Sequence, residues 1–330
     1  MDLDLLVIGD SSAGWHGAVT AAQLGQKVGL IVRSEALNSD LRQIPDDVTA
    51  EVCADWPLHQ TGRHAAAQIT SPDAWGKFTQ YAKSAWQYEI DLYCAQFLNA
   101  GGQIWAGSAA LTDAHSATVS SSGSVSRELH AEQILIATGT EFRRPQFAKV
   151  PLRQVFDAAQ LLDVGTLPRE ASVIGAGVTG LRAACLLAWW GVKVRVIDGR
   201  SQVSLQDDSE TSGLINRANE LGVRFLTGED VIGLESEGRR VEIVMESGRR
   251  LQAESVWLAT GRYGRTDELQ LENAELSADD CGRLWCGVDL RTWTESICAA
   301  GDVVGYTPEV GSEKELVSQA VQALLTPSVV

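Results

Sequence analysis

The same eight-residue pattern occurs twice in this chain, as VIGDSSAG at residues 7–14 and as VIGAGVTG at residues 173–180. Each copy follows a short apolar run and leads into a segment that begins with small residues. That order predicts a buried parallel strand, a tight glycine turn and a helix. Gly25 and Gly191 follow these segments and are predicted to end the two helices. The second copy keeps all three glycines of Gly-x-Gly-x-x-Gly, whereas the first has Ser11 at the middle position.

The two halves of the chain continue in the same order after these turns. Each half has a second strand, a helix, a hairpin that turns at Ser-Gly, and a third strand that ends in Ala-Thr-Gly. The second strands are predicted at 27–32 and 193–198, the hairpins at 116–129 and 239–252, and the third strands at 133–139 and 255–261. The first half is longer, and most of its additional residues lie between Ser34 and Trp75. A last helix is expected at about 312–325.

Charge and cysteine usage exclude several classes of function. A net charge of -16 predicts repulsion from phosphate backbones and anionic surfaces, so neither nucleic acid nor a membrane is expected as a partner. No apolar run approaches the roughly 20 residues that span a bilayer. The N-terminal MDLDLLVIG has no basic region and no cleavage site, so a cytoplasmic location is expected. The six cysteines are scattered, unlike a secreted disulfide framework.

Together, the two glycine turns, the two Ala-Thr-Gly strands and the late AAGDVVG (299–305) resemble the FAD-dependent pyridine nucleotide-disulfide oxidoreductases. Within that family, GRYGRTDELQLENAEL (261–276) is most similar to soluble pyridine nucleotide transhydrogenase and dihydrolipoamide dehydrogenase. The resemblance implies an α/β fold of two Rossmann-like dinucleotide-binding domains, the second inserted in the first. Residues 1–148 plus 267–330 would form the FAD-type domain and residues 149–266 the NAD(P)-binding domain, with no C-terminal dimerisation domain.

The second glycine turn has every group that a dinucleotide pyrophosphate needs. Its glycines permit the tight turn, the close approach of the phosphates and the packing of helix on strand, and the pyrophosphate would lie on the helix N-terminus. Asp198 at the end of the next strand favours NAD, whereas Arg200 leaves NADP open. The candidate NAD(P) contacts are Gly175, Gly177, Val178, Gly180, Asp198, Arg200 and Gly261.

The first glycine turn departs from the pattern at both ends of the expected site. Ser11 places a Cβ and a hydroxyl where the phosphate should approach, and that hydroxyl could bond the phosphate only if the loop shifts. Val32 stands where the family has its ribose-binding acid, and Asp10 adds a negative charge beside the phosphates. The resemblance places Asp302 against the flavin's ribityl chain. The candidate FAD contacts are Gly9, Ser11, Ser12, Ala13, Gly14, Thr138, Gly139, Gly301 and Asp302, and the sequence leaves FAD binding open.

The family's redox chemistry is incomplete in this sequence, so no catalytic residue is assigned. Its Cys-x4-Cys pair should follow the second strand, but only Cys53 lies there. Arg182 stands where the family often has a glutamate, and the C-terminal domain with the acid-base histidine is missing. A Cys-x4-Cys does occur elsewhere, from Cys281 to Cys286, but it follows two aspartates and is interpreted as a structural turn. No cluster has metal-ligand spacing.

Two hypotheses follow from this pattern. In the first, NAD(P)H passes hydride to FAD held between the domains, and the flavin reduces an unknown acceptor without any cysteine. In the second, the chain is a catalytically degenerate nucleotide-binding homologue that acts through a partner protein or as an NAD sensor. Without the family's dimerisation domain, a monomer or a dimer through another surface is expected.

Overall fold

A computed structural model of the chain describes residues 2–34, 72–121, 126–148, 152–201, 209–305 and 313–325. The helices are α1 (Ser12–Gln23), α2 (Pro72–Asn99), α3 (Val178–Trp189), α4 (Ser209–Glu220) and α5 (Glu313–Leu325). The strands are β1 (Asp2–Ile8), β2 (Val28–Val32), β3 (Gln103–Ala106), β4 (Ser108–Asp113), β5 (Ser116–Ser120), β6 (Arg127–Ile136), β7 (Thr140–Phe142), β8 (Val155–Asp157), β9 (Glu170–Ile174), β10 (Lys193–Asp198), β11 (Arg224–Thr227), β12 (Val231–Glu237), β13 (Arg240–Met245), β14 (Arg250–Ala253), β15 (Ser255–Leu258), β16 (Arg262–Gly264) and β17 (Ile297–Ala299).

The described residues divide into two compact units. The first unit takes those within 1–42, 87–141 and 262–330, and the second takes those within 43–86 and 142–261. Most of the segment between Ser34 and Trp75, including Cys53, lies outside the described residues. Among the described residues, no helix has both the length and the apolar character that crossing a bilayer requires.

The first unit is built on a seven-stranded sheet. Its order is β3-β2-β1-β6-β5-β4, and β17 pairs with β6. Strands β1, β2, β3, β6 and β17 run parallel, while β4, β5 and β6 run antiparallel. Strand β1 lies between two neighbours, and its interior residues Leu5, Leu6 and Val7 are fully buried. This burial on both faces explains the continuous apolar run in the sequence.

The second unit has a five-stranded parallel sheet in the order β11-β10-β9-β15-β8. A separate antiparallel sheet contains β12, β13 and β14. Both predicted hairpins are present, β5 with β6 and β13 with β14, as is the last helix. The predicted α/β fold class is therefore confirmed.

Glycines end α1 and α3 as the sequence predicts. Gly25 and Gly191 have φ values of +83° and +84°, a conformation that costs glycine little. At the end of α1, the Gly25 N–H donates to Ala22 O and the Gln26 N–H donates to Ala21 O. This paired arrangement satisfies carbonyls that the helix end leaves open, and it turns the chain into β2.

Parallel pairing brings the predicted site segments to one sheet edge in each unit. In the first unit, β1 leads into Gly9, β6 into Thr138 and β17 into Gly301, because Ile8 and Ala299 both pair with Ile136. In the second unit, β9, β10 and β15 lead in the same way into the second glycine turn, the Asp198 end and Gly261. The carboxyl edge of a parallel sheet is where such folds bind ligands.

Candidate nucleotide-binding sites

Two glycines of the second turn are required by contacts between strand and helix. A Cβ on Gly175 would lie 2.2 Å from Ala259 O, and Gly175 itself has φ +106°. A Cβ on Gly180 would lie 2.1 Å from Gly175 O. Any side chain at either position would therefore push β9, β15 and α3 apart.

The middle glycine, Gly177, has a different role. It is the N-cap of α3, with φ -75° and ψ 177°, and no side chain caps the helix there. A Cβ at Gly177 would meet nothing within 4 Å. The fold therefore does not need glycine at this position, but the open space before the N-terminus of α3 suits a phosphate group.

Asp198 ties the second turn to the end of β10. Its Oδ2 accepts the Ala176 N–H at 2.7 Å, and its Oδ1 accepts the Arg200 N–H at 2.9 Å. The Arg200 guanidinium adds bonds of 2.8 and 3.0 Å. Burial opposes ionisation of this carboxyl, but the bonds from Arg200 and Ala176 hold its pKa below the ordinary value. Asp198 is thus an ionised, positioned acceptor whose charge Arg200 balances.

The first turn reproduces the strand and helix contacts of the second. Gly9 has φ +126°, and a Cβ there would lie 2.2 Å from Ala137 O. A Cβ on Gly14 would also lie 2.2 Å from Gly9 O. Ser11 has φ -68° and ψ 168°, almost the angles of Gly177. The exchange of glycine for serine therefore leaves the path of the loop unchanged.

The Ser11 hydroxyl is used within the fold. It donates to Ala137 O at 2.7 Å and accepts the Gly14 N–H at 3.2 Å, so it caps α1. The sequence predicted that this hydroxyl would stand in the path of the phosphate. That stays a prediction; in the structure the hydroxyl accepts the Gly14 N–H, one of the N–H groups at the start of α1.

An ion pair that the sequence analysis missed joins the first turn to the end of β2. The Arg33 Nε lies 3.0 Å from Asp10 Oδ1, and Nη2 lies 3.0 Å from Oδ2. The Asp10 side chain is only 4% exposed. Its predicted unfavourable charge is therefore balanced. Asp10 lies two residues after β1 and Arg33 directly after β2, and these opposite charges after adjacent parallel strands were the sequence signal for the pair.

A cavity of about 420 Å³ lies beside the first turn. The residues that line it come from the turn, the ends of β2 and β6, the β3–β5 region and the segment after β16: Ile8, Gly9, Asp10, Ile31, Arg33, Ser34, Gly107, Ser108, Ala109, Ser120, Ser121, Thr138, Glu141, Arg265, Asp267, Glu268 and Leu269. The Thr138 hydroxyl oxygen is buried and has no hydrogen-bond partner among the described residues. A buried polar atom of this kind calls for a partner.

Arg265 is held beside the cavity by the third-strand segment. Its N–H donates to Gly139 O at 3.0 Å, and its guanidinium lies 3.9 Å from Glu141. Burial, and then the nearby Arg33, lower its pKa, while Asp10 and Glu141 oppose that shift. The turn, the cavity and the orphaned Thr138 hydroxyl together fit the ADP part of a dinucleotide.

The remaining predicted residues lie at the same two sheet edges or beside them. Gly301 and Asp302 form a 3-10 turn after β17, and Asp302 is exposed. Gly139 has φ +67°, and a Cβ there would lie 3.3 Å from the Ser11 Cβ. Gly261 has φ +109° and open space around it. Arg182 lies in α3 and is half-buried.

The described cysteines are all free thiols. Burial raises the pKa of Cys286 to about 11 and the pKa of Cys298 to about 12. Cys281 is exposed. Since a thiolate is the reactive form, the thiols of the half-buried Cys286 and the buried Cys298 are mostly protonated at neutral pH, and Cys281 and Cys286 form no disulfide in this structure.

Comparison with known proteins agrees with this arrangement. The sequence profile of the family described as pyridine nucleotide-disulphide oxidoreductase matches residues 3–324. The soluble pyridine nucleotide transhydrogenases of Chromohalobacter salexigens and Azotobacter vinelandii are each 28% identical over 322 residues, covering 92% of this chain and 67% and 66% of theirs.

Solved structures show the same fold. The Cu(II) complex of the HOCl-induced flavoprotein disulfide reductase RclA from Escherichia coli matches with a TM-score of 0.78 at 22% identity, over 98% of this chain and 70% of that one. LpdA from Mycobacterium tuberculosis matches with a TM-score of 0.78 at 23% identity, over 97% and 71%. The match over nearly its whole length shows that this chain belongs to the pyridine nucleotide-disulphide oxidoreductase family.

Proposed function

We propose that this chain is a flavin-dependent NAD(P)H oxidoreductase that works without a redox disulfide of its own. One observation carries the proposal. Each unit presents a glycine turn at the carboxyl edge of a parallel sheet, and the middle residues Ser11 and Gly177 have nearly identical backbone angles. A chain with two such turns is built to bind two dinucleotides. The names of the relatives, transhydrogenase and flavoprotein disulfide reductase, support this reading.

The residues of the first unit would hold FAD. The α1 N-terminus would receive the pyrophosphate, and Thr138 and the adjacent cavity would receive groups next to it. Gly301 and Asp302 lie past the same sheet edge. When bound, the flavin supplies the redox chemistry, accepting hydride and passing electrons onward. The chain supplies binding, orientation and a fixed electrostatic environment.

The residues of the second unit would hold the nicotinamide nucleotide. The N-terminus of α3 receives the pyrophosphate across the open space at Gly177. Asp198, which is ionised and held by Ala176, accepts the ribose hydroxyl in place of one of its two bonds from the Arg200 guanidinium. Its carboxylate favours NADH, and its pairing with Arg200 reduces the repulsion that a 2′-phosphate would meet. We therefore propose NADH as the preferred donor.

The electron acceptor is proposed to be something other than a disulfide. Between β2 and α2 the sequence has only one cysteine, Cys53, and burial keeps the thiols of Cys286 and Cys298 protonated at neutral pH. A disulfide substrate would require a thiol relay of the kind that these residues do not provide.

The purified protein is expected to carry, or to take up, FAD, and NADH should bleach the visible flavin band anaerobically faster than NADPH does. Gly177→Leu should abolish bleaching but keep the flavin, because the leucine fills the proposed phosphate space in the other unit. Gly213→Leu is the matched control, since Gly213 also has nothing within 4 Å of its Cβ position but lies in α4. A colourless protein that ignores added FAD would show that the proposal is wrong.

A second candidate function is favoured by one feature of the first turn. Ser11 occupies the Gly14 N–H, and Val32 offers no acid. Both changes weaken a dinucleotide site, as expected for a degenerate homologue that senses NAD or acts through a partner protein. Thermal unfolding separates the two candidates. Stabilisation by NAD but not by FAD supports the second candidate, and stabilisation by FAD supports the first.

A further inference from the structure

The second site shows where the carboxylate of a strand-end acid lies. Asp198 is the last residue of β10, and its Oδ2 is 2.7 Å from the N of Ala176, the residue between the first two glycines. The loop residue and the strand end are thus close enough to share one carboxylate. An acid on either the loop or the strand end would therefore bring its carboxylate oxygens into the space between the two.

In the first site the acid is on the loop side. Asp10 occupies the loop position of Ala176, because Gly9 and Gly175 make the same backbone bonds, to Ile31 O and Ile197 O. Val32 therefore corresponds to Asp198 and Arg33 to Gly199. The Asp10 side chain reaches toward the end of β2, where Arg33 binds both of its oxygens. The first site thus lacks a carboxylate at the strand end, at Val32, but has one on the loop, at Asp10.

The Asp10 carboxylate has the capacity to bind a ligand. Two ionised oxygens offer about four acceptor sites, and Arg33 uses three of them, through contacts of 3.0, 3.2 and 3.0 Å. Asp10 also lines the cavity beside the first turn. A carboxylate acceptor at the edge of a cavity is the group that a sugar hydroxyl requires as its partner.

We infer that Asp10 replaces the strand-end acid as the acceptor for the adenosine ribose hydroxyls in the first site, and that Arg33 is the residue that positions it. This inference rests on the proposed function only in that the first site takes an ADP-containing nucleotide. Asp10 makes the contact. Arg33 acts through Asp10 by fixing its rotamer and by balancing its charge.

The charges of the cavity also set the ligand class. Its lining contains four carboxylates, Asp10, Glu141, Asp267 and Glu268, and two guanidinium groups, Arg33 and Arg265. Asp10, the group that would face the ribose, repels an added phosphate there and accepts neutral hydroxyls. The first site should therefore bind ADP-containing ligands with a free 2′-hydroxyl and reject 2′-phosphorylated ones.

Calorimetry with ADP, 2′-deoxy-ADP and 3′-deoxy-ADP tests the inference, with Gly177→Leu as the background so that the second site is closed. With Asp10 intact, at least one deoxy ligand should bind about tenfold more weakly than ADP, as expected for a lost hydrogen bond to a charged group. In Asp10→Ala, ADP should bind about as weakly as that deoxy ligand, so the discrimination disappears. Glu132→Ala removes an exposed acid of β6 away from the cavity and should keep the discrimination.

The positioning role of Arg33 has its own readout. Arg33→Ala should reduce the discrimination between ADP and the deoxy ligand, and Arg33→Lys should restore part of it. If Asp10→Ala does not fold, Asp10→Asn is measured in the same way. This variant keeps the size of the side chain but loses the charge, and its discrimination should fall.

Several results would overturn the inference: no ADP binding in the Gly177→Leu background, equal binding of ADP and both deoxy ligands, discrimination that persists in Asp10→Ala, or tighter ADP binding by that variant. The last result would mean that the ion pair plugs the site. Failure of the proposed function would give a different result from failure of this inference. If the protein discriminates ADP from deoxy-ADP through Asp10 but does not bind FAD, only the flavin assignment is refuted.

Discussion

Ser11 and Gly177 occupy the same place in two copies of one turn, yet they treat the helix N-terminus differently. The Ser11 hydroxyl donates a hydrogen bond to Ala137 O and accepts one from the Gly14 N–H. Gly177 leaves the equivalent space open. The Gly14 N–H that bonds the Ser11 hydroxyl would be less available to a phosphate, because one N–H cannot fully serve both partners.

Replacing Ser11 tests whether the occupied N–H weakens flavin binding. Ser11→Gly and Ser11→Ala should both release the Gly14 N–H and tighten FAD binding by about tenfold, the value of a hydrogen bond to a charged phosphate. Ser11→Ala should also lower the free energy of unfolding by about 1 kcal/mol through loss of the cap. Fluorescence titration with FAD and urea unfolding measure the two effects. Unchanged FAD affinity in both variants would contradict this account.

At the scale of the strand–turn–helix element, the three glycines of the second turn have separable roles. Gly175 and Gly180 allow the backbone of the turn to approach its neighbours, with Cβ positions 2.2 and 2.1 Å from carbonyl oxygens. Gly177 touches nothing. We therefore expect stability to depend on the outer glycines and the proposed ligand binding on the middle one.

A pair of alanine variants distinguishes these roles. Gly180→Ala should lower the free energy of unfolding by about 1–3 kcal/mol, because the added methyl overlaps Gly175 O. Gly177→Ala should change it by less than about 1 kcal/mol while weakening NAD binding. Urea unfolding and calorimetry with NAD measure the two properties. Equal destabilisation by both variants would contradict the stability role of the outer glycine, and unchanged NAD binding by Gly177→Ala would contradict the ligand role of the middle one.

The order of the elements could be predicted from the sequence, because the glycine turns, the apolar runs and the Ala-Thr-Gly ends are local signals. The parallel α/β sheets and the helix ends at Gly25 and Gly191 were predicted for this reason. The direction of the Ser11 hydroxyl could not be, because it depends on a side-chain rotamer. The charges after β1 and β2 were a signal for the Asp10–Arg33 pair, but its geometry depends on rotamers across the two strands. Arg265 joins that cluster from a segment more than two hundred residues away in the chain.

At the scale of the whole molecule, the chain has two nucleotide-type units but no paired thiols among its described cysteines. The profile of the family extends over both units. The lack of a Cys-x4-Cys between β2 and α2 is therefore a change within a family member. Redox capacity would then be confined to bound cofactors.

Anaerobic titration with dithionite measures that capacity directly. The reconstituted protein should be fully reduced by two electrons per flavin, and a redox disulfide would take up two more. Cys53→Ser should leave both the stoichiometry and the rate of reduction by NADH unchanged. Uptake of additional electrons that Cys53→Ser abolishes would reveal a cysteine pair and contradict the proposed mechanism.

The Asp10–Arg33 pair also constrains how this sequence can change. Removing Arg33 alone leaves a carboxylate that is 4% exposed without its partner, and burying an unpaired charge is costly. Restoring an acid at Val32 while Asp10 is present would crowd two carboxylates into one crevice. Single replacements in this pair are therefore expected to cost more than a joint replacement of Asp10 and Arg33.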